Sequence, residues 1–258
     1  MNDIERLHKG LPFLFEAIDM HAHVGRYSHA IPDLDVSSQV AVMDRLGVRS
    51  TIVSHMQCMS WDVTWGNDQV YEAMTAFPGR ILGYASMFPK SKDFVASEAA
   101  RRVGQGFTGF KFHNGNGFAY DDPAYEPAWE LADKHHLPML FHTWGAPQVF
   151  DEIYNIAMKA PNAYILLGHS TATKWDEYIA FAKKVPNIRL ELCTSFAPVG
   201  SIEYLVAGVG AERIVWGSDC NFYSMAQQFG RLIGCSLPET DKRKIASDNA
   251  KTILADRR

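Results

Sequence analysis

The sequence predicts a single-domain α/β protein, a (β/α)8 TIM barrel, and three observations carry that prediction. From residue 18 onward, short apolar β-rich runs alternate with longer segments of helical period, the pattern of repeated β-α units around a parallel sheet. Eight such units can be counted along the chain. The length, 258 residues, suits one barrel and requires no second domain. An open doubly wound sheet is the second choice, but no G-x-G-x-x-G follows the first strand, so a dinucleotide fold loses its main support. The expected boundaries are an N-terminal extension over residues 1–17 and the barrel over residues 18–258.

The first four expected strands are A-I-D-M-H at 17–21, S-T-I-V-S at 50–54, I-L-G-Y-A-S at 81–86 and F-T-G-F-K-F-H at 107–113. The last four are P-M-L-F-H at 138–142, Y-I-L-L-G-H at 164–169, I-R-L-E-L at 188–192 and R-I-V-W-G-S at 213–218. Helices are expected between them over 36–46, 67–77, 93–103, 123–135, 147–159, 175–185 and 201–207, with a tail over 238–254 closing the last unit. The third helix has the start signal S-K-D, and the fourth opens D-D-P, an acidic cap followed by a first-turn proline. No internal repeat, low-complexity segment or linker interrupts the pattern.

Composition narrows the partners. Hydrophobic residues make up 47% and charged residues 21%, which excludes a disordered chain. A net charge of -4 gives no broad attraction to nucleic-acid phosphates or anionic lipid, so neither is an expected partner. Cys58, Cys193, Cys220 and Cys235 form no C-x-x-C pair and no dense framework, as expected of reduced cytosolic thiols. The N-terminal run M-N-D-I-E-R-L-H-K-G-L-P-F-L-F-E does not read as a secretory signal, and no stretch has membrane-spanning length. A cytoplasmic location is the expectation.

The candidate site follows from where polar residues fall. In I-D-M-H-A-H-V-G, strand alternation places His21 and His23 on one face. Taken alone, the tripeptide is equally compatible with a metal site and with one histidine capping a loop while the other faces solvent. Strand five then ends in His142, strand six in His169, and strand eight runs out at Asp219. Singly, these would read as a packed core histidine, a turn residue and a helix cap. Together they put five metal-compatible groups on the strand-end rim, where barrel enzymes place their chemistry. His8, His135 and His136 lack this placement; the last two sit at a helix end that favours positive charge.

The order H-x-H after strand one, His after strand five, G-H-S after strand six and G-S-D after strand eight resembles the amidohydrolase superfamily. The match is nearer to its amidohydrolase-related branch of metal-dependent hydrolases and non-oxidative decarboxylases. F-P-G-R-I-L-G-Y-A-S, G-F-K-F-H-N, D-D-P-A-Y-E-P-A-W-E, R-I-V-W-G-S-D and D-N-A-K-T-I-L support the resemblance over nearly the whole chain. It implies that His21, His23, His142 and Asp219 ligate one divalent metal, zinc being the expected ion, with a water in an open position. It further implies catalytic roles for His169, which would orient and deprotonate that water or polarise a substrate carbonyl, and for Asp219, which would carry a proton to the leaving group.

Some superfamily members hold two metals through a carboxylated lysine at the end of strand four, and Lys111 stands near that place. One metal is the preferred reading, with Lys111 a buried lysine paired with an acid and His113 a substrate contact. The loops after the strands offer Arg26 and Tyr27, residues 55–61, residues 114–120 and Trp144 as pocket walls. Arg26 or His113 would bind a substrate carboxylate, and Trp144 would form an apolar wall. The run H-N-G-N-G-F lacks the lysine and hydroxyl of a phosphate loop.

The expected function is therefore hydrolysis of a small carbonyl substrate, a lactone, amide or related ring, by metal-activated water. The first alternative is a lyase that decarboxylates a small unsaturated or aromatic acid. The second is a non-catalytic metal-binding barrel. The resemblance also implies self-association into a homo-oligomer.

Overall fold

A computed structural model describes residues 3–9, 11, 15–26, 35–56, 62–196 and 198–258. Tyr27 and residues 57–61 of the proposed pocket walls, with Cys58 among them, lie outside the described residues. A short helix α1 (Asp3–His8) precedes β1 (Ala17–Val24), α2 (Val36–Leu46), β2 (Val48–His55) and α3 (Val63–Ala76). Next come β3 (Ile81–Ser86), α4 (Lys92–Gly104), β4 (Gly109–Phe112), α5 (Glu126–His135), β5 (Pro138–His142) and α6 (Phe150–Lys159). The chain ends with β6 (Tyr164–Gly168), α7 (Trp175–Lys184), β7 (Ile188–Glu191), α8 (Ser201–Val209), β8 (Ile214–Val215), α9 (Met225–Gly234), α10 (Glu239–Arg243) and α11 (Asn249–Ala255).

The eight strands pair in parallel in the order β1 to β8. The barrel closes where Met20 N–H donates to Trp216 O (3.0 Å) and Asp219 N–H donates to His21 O (2.7 Å). The predicted (β/α)8 barrel is thus the fold. Both predicted helix starts cap as expected: Ser91 Oγ accepts from Phe94 N–H (3.1 Å), and Asp122 Oδ1 from Ala124 N–H (2.8 Å).

Alternation sorts each strand into an inner and an outer face. Phe110, Phe112, Met139, Phe141, Ile165 and Leu167 face the helices and belong to the large outer core. Ile52, Tyr84, Leu140, Leu166 and Val215 fill the barrel with Ile18 and Met20. The residues that continue the inner rows toward the strand ends are Lys111, His142 and Glu191. β1 carries an extra residue between Asp19 and Ala22, a bulge in its register with β2. The bulge resets the alternation, so His21 and His23 join Met20 on the inside while Ala22 and Val24 pack outward. Asp19 pins this bend by accepting from His21 N–H (3.1 Å), Ser218 N–H (2.9 Å) and Ser218 Oγ–H (2.5 Å).

Candidate metal centre

The carboxyl ends of the strands bring three of the four predicted ligands together. His23 Nε2 lies 3.0 Å from Asp219 Oδ1, and His21 Nε2 lies 3.8 Å from the same oxygen. Ligand atoms of all three fall within 4.8 Å of one another. His142 is not in that group: its Nδ1 lies 3.0 Å from His169 Nε2, one ring away.

The far nitrogen of each imidazole has a protein partner, which fixes what the near one can do. His21 Nδ1 donates to Glu191 Oε2 (2.9 Å), and His23 Nδ1 lies 3.0 Å from Ser54 Oγ. His169 Nδ1 donates to Cys193 O (3.2 Å), leaving its Nε2 to accept from His142 Nδ1. With protons on these Nδ1 atoms, His21 and His142 each keep a lone pair on Nε2; His23 donates from Nε2 to Asp219 Oδ1 and would ligate an ion after moving that proton to Nδ1, where Ser54 Oγ can accept it. This is the arrangement in which imidazoles ligate metal. Burial holds His21 and His142 far below the usual histidine range, with Lys111 adding to the effect at His21 and His169 at His142. Both are neutral donors at pH 7. Burial alone would raise the Asp219 carboxyl, but the hydrogen bond from His23 and the neighbouring imidazoles outweigh it and keep Asp219 ionised. Neutral imidazoles and one ionised carboxylate make a donor set that fits a divalent cation.

His169 has partners on both ring nitrogens, Cys193 O at Nδ1 and His142 Nδ1 at Nε2. Trp144, His169 and Asp219 all take positive φ values, 44°, 67° and 53°. For residues with a side chain this left-handed backbone costs on the order of 1–3 kcal/mol each, and such costs gather at functional sites.

Lys111 departs from the sequence expectation of pairing with an acid. Its Nζ lies 3.0 Å from His21 Nε2 and within 4.0 Å of no described carboxylate, although the side chain is only 1% exposed. Burial draws it down to about 8, partly offset by Asp219, so it remains an ammonium at neutral pH. Of the three predicted substrate contacts, His113 stacks on His142 (centroids 4.0 Å apart, 21° between planes) and accepts from Gly115 N–H at Nδ1. Trp144 is exposed and meets His169 edge-on at 4.8 Å, and Arg26 is exposed just beyond β1.

Sequence reasoning missed Glu191 and Cys193. Glu191 accepts from His21 Nδ1, His169 N–H (3.2 Å), Cys193 N–H (2.6 Å) and Cys193 Sγ–H (2.9 Å). It therefore ties β1, β6 and β7 together under the site, and Cys193 Sγ sits 3.2 Å from Nδ1 of both His21 and His169. The available signal was E-x-C at the end of a strand, the same alternation as H-x-H. Gly217 is required beside this cluster, because a Cβ there would meet Glu191 Oε1 at 2.4 Å and His21 Cβ at 2.7 Å.

Acid should destabilise this end of the metal-free barrel. Burial lowers His113 to about 3 and His55 to about 4. Between those values and about 6.5, these two imidazoles bind more protons in the unfolded chain than in the folded one, while Asp19, raised by burial to about 7, binds more in the folded chain and offsets part of the effect. The stabilisation from the two imidazoles is complete above about pH 6.5 and is lost as pH falls toward 4. Thermal unfolding of chelator-treated protein at pH 7, 6 and 5 should show a falling midpoint that His113→Gln makes shallower.

Eight parallel strands carry a cluster of histidines and a carboxylate, able to hold a metal ion, at their carboxyl ends. The chain belongs to the Amidohydrolase family, whose model matches residues 18–255. Among solved structures, a 2,6-dihydroxybenzoate decarboxylase from Rhizobium is 18% identical, with 94% of this chain and 99% of that one covered and a TM-score of 0.76. A dihydroxybenzoic acid decarboxylase from a Polaromonas species, solved with bound manganese and the inhibitor 2-nitroresorcinol, is 20% identical (94% and 97% covered, TM-score 0.76). A 5-carboxyvanillate decarboxylase from Sphingomonas paucimobilis is 16% identical (93% and 99% covered, TM-score 0.71). At these identities the likeness is one of fold. No curated protein sequence matches the chain. Among the described residues, no helix is long and apolar enough to cross a membrane.

Proposed function

We propose that the chain is a divalent-metal-dependent lyase that removes carbon dioxide from a small unsaturated or aromatic carboxylic acid. The observation that carries this reading is the charge pattern of the rim. It joins the donor cluster of His21, His23 and Asp219 to a buried ammonium with no described carboxylate within 4.0 Å, a site suited to a cation and an anionic substrate together. The fold shared with three decarboxylases supports it.

His21, His23, His142 and Asp219 would hold the ion, and Glu191, Ser54 and His169 would keep the three imidazoles in the ligating tautomer. When bound, a divalent ion would draw electron density from a substrate oxygen. The C–C bond to the carboxylate breaks, carbon dioxide leaves, and the carbon keeping the electron pair takes a proton. Asp219, held ionised beside His23, would take that proton from a hydroxyl of a hydroxylated substrate, or from water, and return it to carbon. Trp144 and His113 would flank the substrate, with Arg26 at the mouth. Zinc suits the imidazoles, and manganese, present in the Polaromonas enzyme, is the second ion to load.

Hydrolysis is the second reading, favoured by the ionised Asp219, which could equally accept a proton from water. Carboxyl-13C-labelled hydroxybenzoates and unsaturated acids, offered to metal-loaded protein, separate the two. Labelled carbon dioxide supports the lyase; oxygen-18 from water entering the acid product of a lactone or amide overturns it.

A further inference from the structure

We infer that Lys111 and Ser86 together form the anion seat of this site, taking a carboxylate oxygen of a small organic acid. The two residues are register partners on neighbouring strands, Ser86 ending β3 and Lys111 within β4. Partners in a parallel pair share a face, and this is the inner one: Tyr84, two residues before Ser86, fills the barrel, while Phe110 and Phe112, either side of Lys111, pack outward.

Two independent observations point to a ligand. The Lys111 ammonium is buried and has one hydrogen-bond partner among the described residues, His21 Nε2, the atom that the metal-centre reading reserves for the ion. A buried charge without a counter-charge is costly, and no described carboxylate lies within ion-pair distance. Ser86 Oγ is buried and has no hydrogen-bond partner among the described residues, although Asn67 holds both the Ser86 N–H (2.9 Å) and its C=O (3.0 Å). A hydroxyl and an ammonium on adjacent strands, both short of acceptors, are together satisfied by one carboxylate, which offers about four lone-pair positions.

This assignment rests on the proposed function only for which acid is bound. The test measures binding of two probes, benzoate and its neutral relative benzamide, to zinc-loaded protein by calorimetry. Lys111→Met should weaken benzoate at least about tenfold and Ser86→Ala about three- to fivefold, while benzamide binding and metal content stay unchanged. Lys111→Arg, which keeps the charge, should retain most of the benzoate affinity and serves if Lys111→Met fails to fold. Equal benzoate affinity in wild type and both neutral variants overturns the assignment. So does a second metal equivalent that appears with bicarbonate and vanishes in Lys111→Met, since Lys111 would then be a carboxylated metal ligand. Failure to release carbon dioxide from any acid would refute the lyase reading and leave the benzoate result untouched.

Discussion

Asp219→Asn should abolish function while leaving the barrel folded. Asp219 contributes to the fold through its backbone, whose N–H donates to His21 O (2.7 Å) and whose C=O accepts from Phe222 and Tyr223. Its carboxylate faces His23 and His21. An asparagine preserves the shape and the backbone bonds but removes the negative charge among neutral imidazoles. Loss of an outer partner at a metal site costs about 10–100-fold in affinity, and a lost ligand should cost at least that. Turnover should fall further, by about 10²–10⁴-fold even with metal in excess, because the proposed proton carrier is gone as well. Metal analysis after dialysis, circular dichroism and product formation at saturating metal check the three parts separately.

Arg102→Met should be the most damaging change away from the metal. Arg102 is fully buried on α4, donating from Nε to Glu98 (2.6 Å), from Nη1 to Asp68 (2.7 Å) and Gln105 (3.0 Å), and from Nη2 to Thr64 O (2.9 Å). Glu98 also accepts from Asn67 Nδ2 (3.0 Å), the side chain that clamps Ser86 at the end of β3. Removing the guanidinium leaves Glu98 buried without its cation, which typically costs about 3–5 kcal/mol. In a chain of this length each kcal/mol lowers the melting midpoint by about 2–4 °C, so a drop of roughly 10 °C is expected. Because the network ends at Ser86, benzoate affinity should fall along with stability. A midpoint within about 2 °C of wild type would show that the pair contributes little.

Much of the barrel was legible because its strands are short apolar runs and its helices are capped. β3 and β5 and the helix over 36–46 fall on their expected residues. The helix α9 was not expected. Its apolar positions Met225, Phe229, Leu232 and Ile233 have helical spacing behind the cap Ser224, but Gly230 and Gly234 lower its intrinsic propensity and its burial decides the outcome. In the expected helices over 123–135 and 147–159 the first residues, 123–125 and 147–149, form 3-10 turns before α5 and α6 begin, the tighter winding common at helix starts. At the site, alternation correctly paired His21 with His23, although a bulge rather than regular pleating puts them inside. Asp219 lies beyond the hydrogen-bonded strand, since β8 spans only Ile214–Val215. The partner of Lys111 could not be read from the sequence, because the acids near it in space, Glu191 and Asp219, are both committed to histidines. Glu191 was hidden by its place in an ordinary strand pattern, where only the closed barrel shows it facing inward.

The central claim is a single-cation centre built by β1, β5 and the chain beyond β8. Metal analysis of protein loaded with zinc or manganese and freed of excess ion tests it most directly. One equivalent per chain, lost on Asp219→Asn, is the predicted result; two equivalents, or none in the wild type, would contradict it.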